Sequence, residues 1–398
     1  MKNHILKMEL CHSKLVLVLI VTFSLTHLAQ AQDEVIYKNS KQIQQDYLND
    51  GAPKYQFAAW AYSFIGDYQK ALKVYDKSGG IEPTYSDQNV LASYKARSAT
   101  DYVIEQSRKE RIIIINEAHH QPVHRVFTGS LLDGLYKNGY RYLGLETLAE
   151  DSLLNIRKWP LVNDGYYSRE PQYGNMIRKA LEIGFTLFCY EALNDPEGRE
   201  IGEAKNIKKI LDKDNKAKIL IHCGFGHLLE DYNAEPLRMA GALKKLCGIN
   251  PYSIDQVDWT ERSSLEYESR YYQFTQTGYP AVFIDSAGNP YNLRKDSSLV
   301  DLKIAHPRTQ YISKRPSWLL RGNTWKLYNL DGIKLNFKFP CIVSAYAVKE
   351  EGNADSVPID QIEVSDLSEK SLILPPGDYL IRISDYNGTV QKSTITIK

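Results

Sequence analysis

Between residues 111 and 285 the chain repeats one pattern. A short apolar run ends in a proton-active side chain, and a stretch with apolar residues at helical spacing follows. The runs at 112–115, 140–145, 186–190, 218–221, 252–254 and 281–284 read as strands, and 123–137, 175–183, 201–211 and 237–246 read as helices. Runs that are apolar throughout, without alternation, belong to strands covered on both faces. The pattern therefore predicts an α/β fold, a three-layer α/β/α core with a mostly parallel sheet over residues 109–318.

In such a sheet ligands bind beyond the carboxyl ends of the strands, so the residue after each run carries the functional information. Here those residues are Asn116-Glu117-Ala118-His119-His120 after the first run, Glu146 after the second and Glu191 after the third. His222 ends the fourth, followed by Gly224-Phe225-Gly226-His227, and Asp255 and Asp285 end the last two. Of nine histidines in the chain, His119, His120, His124, His222 and His227 fall in just two of these segments. The clustering predicts a site at one sheet edge.

The flanking regions differ. Lys2, Lys7 and Lys14 precede an apolar stretch at 15–28 that closes on Ala29-Gln30-Ala31, the grammar of a cleaved signal peptide. The stretch is shorter than the ~20 apolar residues of a membrane span. Residues 1–31 are expected to be removed before Gln32, leaving a periplasmic or secreted chain with no stable membrane span. Residues 32–108 read as a helical region, with Ala61, Gly66, Tyr68, Ala71 and Tyr75 at the spacing of one tetratricopeptide-like hairpin and Gly66-Asp67 at its turn. One hairpin cannot stack into a solenoid, so a cap over the following core is expected. Residues 319–398 contain Pro375-Pro376-Gly377-Asp378, strand-like alternation and an Asn387-Gly388 turn, which predict a small β-sandwich able to dock a partner. The net charge of +1 gives no bulk attraction for nucleic acid, and Cys189, Cys223, Cys247 and Cys341 lack the spacing of a disulfide framework or zinc knuckle.

The residue types point to acid–base or metal chemistry. Glu117 and His119 are two apart and share a side in extended backbone. Pro122 suits the first turn of a helix, whose dipole favours neutral imidazole at His119 and His120. Glu146 or Glu191 could orient that ring, complete a metal shell or act as base. Gly224 and Gly226 permit close backbone approach and aim His227 at the pocket. Among 28 tyrosines, Tyr166, Tyr167, Tyr173, Tyr271 and Tyr272 lie between elements and are candidates to line a sugar, macrocycle or porphyrin pocket. There is neither a His-Glu-x-x-His helix nor a Gly-x-Ser-x-Gly elbow.

The run from Asn116 to Arg125, with Gly139-Tyr140-Arg141-Tyr142-Leu143-Gly144-Leu145-Glu146 after it, resembles the erythromycin esterase/ChaN-like superfamily, and Gly224-Phe225-Gly226-His227 matches the Gly-x-x-His motif of its TraB and Tiki branch. Asn116 stands where that family usually has Gly. The resemblance covers 111–285 and implies a site of Glu117, His119, Glu146 and His227, joined here by His124. Its branches hydrolyse lactones, act as metal-dependent proteases or bind haem.

The leading expectation is thus an exported hydrolase of an ester, lactone or amide, taking a small-molecule or peptide substrate. His119 or Glu117 would activate water, and Arg125 would stabilise an oxyanion. A divalent metal (Zn, Mn or Co) would sit on His119, Glu146 and His227. The alternatives are a haem- or metal-binding uptake protein with His119 or His124 as axial ligand, and a scaffold without catalysis.

Overall fold

The computed structural model describes residues 37–49, 52–79, 91–150, 153–231, 237–269, 271–291, 299–330, 338–350, 355–365 and 371–398. The expected signal peptide lies outside them. Residues 39–398 form one unit, and no described helix is long and apolar enough to cross a membrane.

The molecule is mixed α/β, with the predicted mostly parallel sheet at its centre. Eight strands form it: β1 (Lys95–Ser98), β2 (Ile112–Glu117), β3 (Tyr142–Leu145), β4 (Thr186–Cys189), β5 (Ile219–Gly224), β6 (Tyr252–Trp259), β7 (Ala281–Ile284) and β8 (Leu302–Ala305). Their order is β1-β7-β8-β6-β2-β5-β3-β4. Strands β8 through β4 in that order run parallel, and near one edge β7 alone runs opposite, pairing antiparallel with both β8 and β1.

Strand β2 shows why the apolar runs are continuous. Ile113 and Ile115 enter one core with Phe127, Leu131 and Leu135, while Ile112 and Ile114 enter the opposite core with Ile207, Leu211 and Leu243. All four isoleucines are fully buried, each stabilising the fold by about 2 kcal/mol. The covering helices include α3 (Ala99–Gln106), α4 (Val123–Lys137), α5 (Pro171–Ile183), α6 (Arg199–Lys213) and α7 (Met239–Cys247). Helix α5 starts with Glu170 capping the Tyr173 amide and Pro171 in the first turn, and stops at Gly184 in the left-handed region (φ 110°).

The N-terminal hairpin consists of α1 (Tyr55–Phe64) and α2 (Tyr68–Tyr75). Gly66 turns it with φ 71°, and a Cβ there would stand 2.2 Å from the Gln361 carbonyl oxygen. The hairpin covers the carboxyl edge of the sheet, with Trp60 against His119 and Tyr75 stacked on His120. Before residue 109, β1 already pairs with β7, and Ala99, Tyr102 and Val103 of α3 enter the α/β core. At the C-terminus, a four-stranded antiparallel sheet, β12 (Cys341–Ala347), β13 (Asp360–Val364), β15 (Gly377–Asp385) and β16 (Val390–Ile397), shares one core with the ribbon of β11 (Lys326–Asn329) and β14 (Ser371–Leu374). The short β9 (Tyr311–Ile312) and β10 (Arg315–Pro316) join this part to the sheet.

Three histidines near the helical covering are buried neutral. Burial holds His120 and His124 well below the usual imidazole range and brings His306 down to about 3. Unfolded imidazole binds its proton near pH 6.5. Below that pH the unfolded chain therefore binds more protons than the folded one, and stability that is complete above pH 6.5 is lost toward pH 3. Each histidine adds up to about 1.4 kcal/mol per pH unit to that slope. Urea midpoints measured from pH 7 to pH 4 should fall less steeply in His306→Gln than in the parent chain.

Candidate functional site

The carboxyl edge gathers side chains from β2, β3, β5 and α6 around one buried carboxylate. Glu117, at the end of β2, is 1% exposed. Its Oε2 accepts from Arg125 Nε (2.7 Å) and His222 Nε2 (2.7 Å), and its Oε1 accepts from Arg125 Nη2 (2.5 Å) and His119 Nδ1 (2.8 Å). Burial alone would raise its carboxyl, but the Arg125 guanidinium and these hydrogen bonds hold it well below the usual carboxylate range. All its lone pairs are engaged, so Glu117 orients its neighbours and is not the base expected from sequence.

An ionised Glu117 fixes the tautomer of His119. Nδ1 must donate, which leaves the lone pair on Nε2. Nε2 has no hydrogen-bond partner among the described residues, and Glu146 Oε2 lies 4.0 Å away. The ring is clamped by Tyr167, stacked at 3.9 Å, and by the edges of Trp60 and Phe225 at 5.5 and 5.0 Å.

Glu146 follows β3. Its Oε2 accepts from the Gly224 amide and its Oε1 from Arg199 Nη2 (3.0 Å). Burial pushes this carboxyl up, yet the hydrogen bond and charge of His227 and the Arg199 guanidinium hold it below the usual carboxylate range. His227 stands 3.5 Å from Glu146 Oε1 and bonds Glu200 through Nδ1 (2.9 Å). Desolvation disfavours its charge, but the hydrogen bonds to Glu146 and Glu200 outweigh it and push the imidazole up to about 10. His227 is thus a cation at neutral pH.

Gly224 is required for close approach. A Cβ there would lie 2.2 Å from His119 Cε1, 2.3 Å from Nε2 and 2.9 Å from Glu146 Oε2. At φ −90° the backbone itself accepts any residue, so Gly224→Ala should fold and displace the imidazole. A misplacement of about 1 Å costs on the order of a hundredfold in rate. That loss in kcat/KM, with far-ultraviolet circular dichroism unchanged, is the expected result. Gly226 has no comparable crowding, since its nearest atom would be 3.6 Å away.

Several sequence expectations are corrected here. His124 is fully buried and turned from the site, its Nδ1 accepting the Ala118 amide (3.0 Å) to fasten the β2–α4 loop. It is therefore neither a catalytic group nor an axial ligand. Arg125 is fully buried and committed to Glu117, Glu170 and the His119 carbonyl, so it has no place at an oxyanion. The ring of His119 is oriented by Glu117, not by Glu146 or Glu191. Asp285 ends an antiparallel strand and so falls at the opposite edge, where it holds an exposed turn. Asp255 is tied to Asn116 and Lys303. Asn116 uses its side-chain amide to join the Phe225 carbonyl, Asp255 and the Gln256 amide, fixing the turn by hydrogen bonds. Tyr173 and Tyr272 are structural, donating to the carbonyls of Glu146 and His306.

Arg199 is the residue that sequence reading missed. It pairs Glu191 through Nε (2.7 Å) and Nη2 (2.8 Å), and its Nη1 reaches His227 Nε2 (3.4 Å). The available signal was local, since Arg199 opens α6, where the helix dipole disfavours a cation. A 400 Å³ pocket lies beside this group, lined by Phe57, Trp60, Tyr166, Tyr167 and Leu193 as well as Glu146, Thr147, Glu191 and Arg199. Thr147 (φ 58°) and Phe225 (φ 39°), which directly follow Glu146 and Gly224, lie in the left-handed region. Such strain concentrates at functional sites.

Two groups of donors bear on the expected cofactors. His119 Nε2 and Glu146 Oε2 stand 4.0 Å apart, and His227 lies 3.5 Å from Glu146 Oε1 while bonding Glu200 through Nδ1. Glu200, Glu203 and His227 are the trio of described residues whose donor atoms lie within 4.8 Å of one another. His227 Nδ1 bonds Glu200 and lies 3.5 Å from Glu203 Oε2, Arg199 Nε is 3.0 Å from Glu203 Oε1, and burial pushes the Glu203 carboxyl up to about 8. The stacked Tyr167, the Trp60 and Phe225 edges and Gly224 pack around the ring of His119.

No protein-family model and no curated protein matches the chain. Among solved structures it is similar to the type III effector HopBA1, with 12% identity and a TM-score of 0.32 over 54% of this chain and 98% of that one. It is also similar to RRSP, a MARTX toxin effector domain from Vibrio vulnificus, with 14% identity and a TM-score of 0.31 over 63% of this chain and 48% of that one. A third is Pasteurella multocida toxin, described as having a thiol-protease like catalytic triad in its C-terminal region. There the identity is 12% and the TM-score 0.29, over 73% of this chain and 38% of that one. The chain spans about half or less of the latter two structures.

Proposed function

We propose that the chain is an exported hydrolase of the erythromycin esterase/ChaN-like type, cleaving an ester, lactone or amide with His119 as general base. The observation that carries this reading is the His119 ring itself: Nδ1 is held by an ionised, buried Glu117 and Nε2 is left open toward Glu146. In the reaction His119 Nε2 removes a proton from water as the oxygen attacks the carbonyl. Ionised Glu146, 4.0 Å away, stabilises the imidazolium that forms. Arg199 Nη1 and the His227 cation supply the positive charge that a developing oxyanion requires, the role sequence gave to Arg125. The imidazolium then returns its proton to the leaving alcohol or amine, and the acid product departs. No step uses a metal.

The test is a turnover screen of esters, lactones, amides and peptides with and without a chelator. Turnover of at least one class, retained in chelator, is expected. No turnover in any class, or turnover abolished by chelation, would sink the proposal.

A further inference from the structure

The pocket beside His119 carries information about the substrate. Phe57 and Trp60 are three residues apart on α1 and so share a helix face, in edge-to-face contact at 5.1 Å. Trp60 in turn meets Tyr166 at 5.8 Å, Tyr167 at 5.8 Å and His119 at 5.5 Å. A continuous series of aromatic contacts therefore runs from the solvent-facing Phe57 to the ring assigned as base. Leu193, on the loop between β4 and α6, lines the same pocket. Phe57 is 45% and Leu193 72% exposed. Two large apolar side chains left open to water in one concavity at the reacting groups gain free energy when an apolar surface covers them.

The polar end of the pocket is already paired within itself. Two carboxylates, Glu146 and Glu191, face one guanidinium, Arg199, whose Nε and Nη2 both donate to Glu191. With the His227 cation 3.5 Å from Glu146 as well, the two carboxylates and two cations balance, so a charged carboxylate or phosphate in the ground state meets no uncommitted counter-ion, whereas a neutral group displaces only water. Rings also suit the walls, because edge-to-face partners are already displayed by Trp60 and Tyr166.

We infer that this pocket is the subsite for a neutral aromatic group on the acyl side of the scissile bond, which makes the substrates arylacetyl-type esters and amides. The inference rests on the hydrolase reading, but the pocket can be tested without it. For the full chain, kcat/KM on a phenylacetyl ester should exceed that on the acetyl ester of the same alcohol. This preference should fall about tenfold or more in Phe57→Ser and Leu193→Ser, through KM and not kcat. An unchanged preference overturns the subsite. If the parent chain hydrolyses neither ester, the hydrolase reading fails for esters and binding decides the subsite. Phenylacetamide, followed by ligand-observed NMR, should bind the parent chain and not the Phe57→Ser/Leu193→Ser double variant. Absent binding, or equal binding to both, overturns it.

Discussion

Arg125→Leu should lower unfolding free energy by roughly 3–5 kcal/mol, the cost of leaving buried charge without its counter-ion. Arg125 is wholly buried between Glu117 and Glu170, which are 1% and 0% exposed. It donates two bonds to Glu117, one to Glu170 at 3.1 Å and one to the His119 carbonyl at 3.1 Å. Its loss removes half of Glu117's donors. Lysine is no substitute, since a point charge cannot reproduce the forked contact that joins two carboxylates and a loop carbonyl. The check is urea denaturation of the parent chain, Arg125→Leu and Arg125→Lys. A cost below about 1 kcal/mol in Arg125→Leu would contradict the role of this guanidinium as the strut of the site.

His119→Gln should reduce kcat/KM by about 10²–10⁴, the usual share of a general base, with little change in melting temperature. Glutamine keeps an amide donor near Glu117 and fills most of the space between Tyr167 and Trp60, so the packing that holds the imidazole survives. It lacks the open lone pair that Nε2 supplies. Parallel initial rates and thermal melts on whichever substrate the screen identifies would check this. A variant with parental rates would show that the base lies elsewhere.

Much of this arrangement was legible in the sequence because local patterns dictate it. Apolar runs of four residues revealed β2 and β5, and the two-residue spacing of Glu117 and His119 placed both on one side. Gly66 marked the hairpin turn. What escaped detection depends on partners far apart in the chain. Strand β1, Lys-Ala-Arg-Ser, carries no apolar pattern and exists because β7 pairs with it. The direction of β7 is likewise not written in periodicity, so Asp285 was placed at the wrong edge. Arg125 and His124 look like site residues by position, yet their hydrogen bonds turn them inward. Arg199 becomes meaningful only when β3, β4 and the Gly224–His227 turn meet at the start of α6.

The central claim, that Glu117 keeps one nitrogen of His119 unprotonated and open, can be tested before any substrate is known. In the full chain labelled with ¹⁵N-histidine, NMR at neutral pH should report the His119 ring protonated at Nδ1 and bare at Nε2, a signal that His119→Gln removes and so assigns. A ring protonated at Nε2 alone, with Nδ1 as acceptor, would require a protonated Glu117 and would contradict the account.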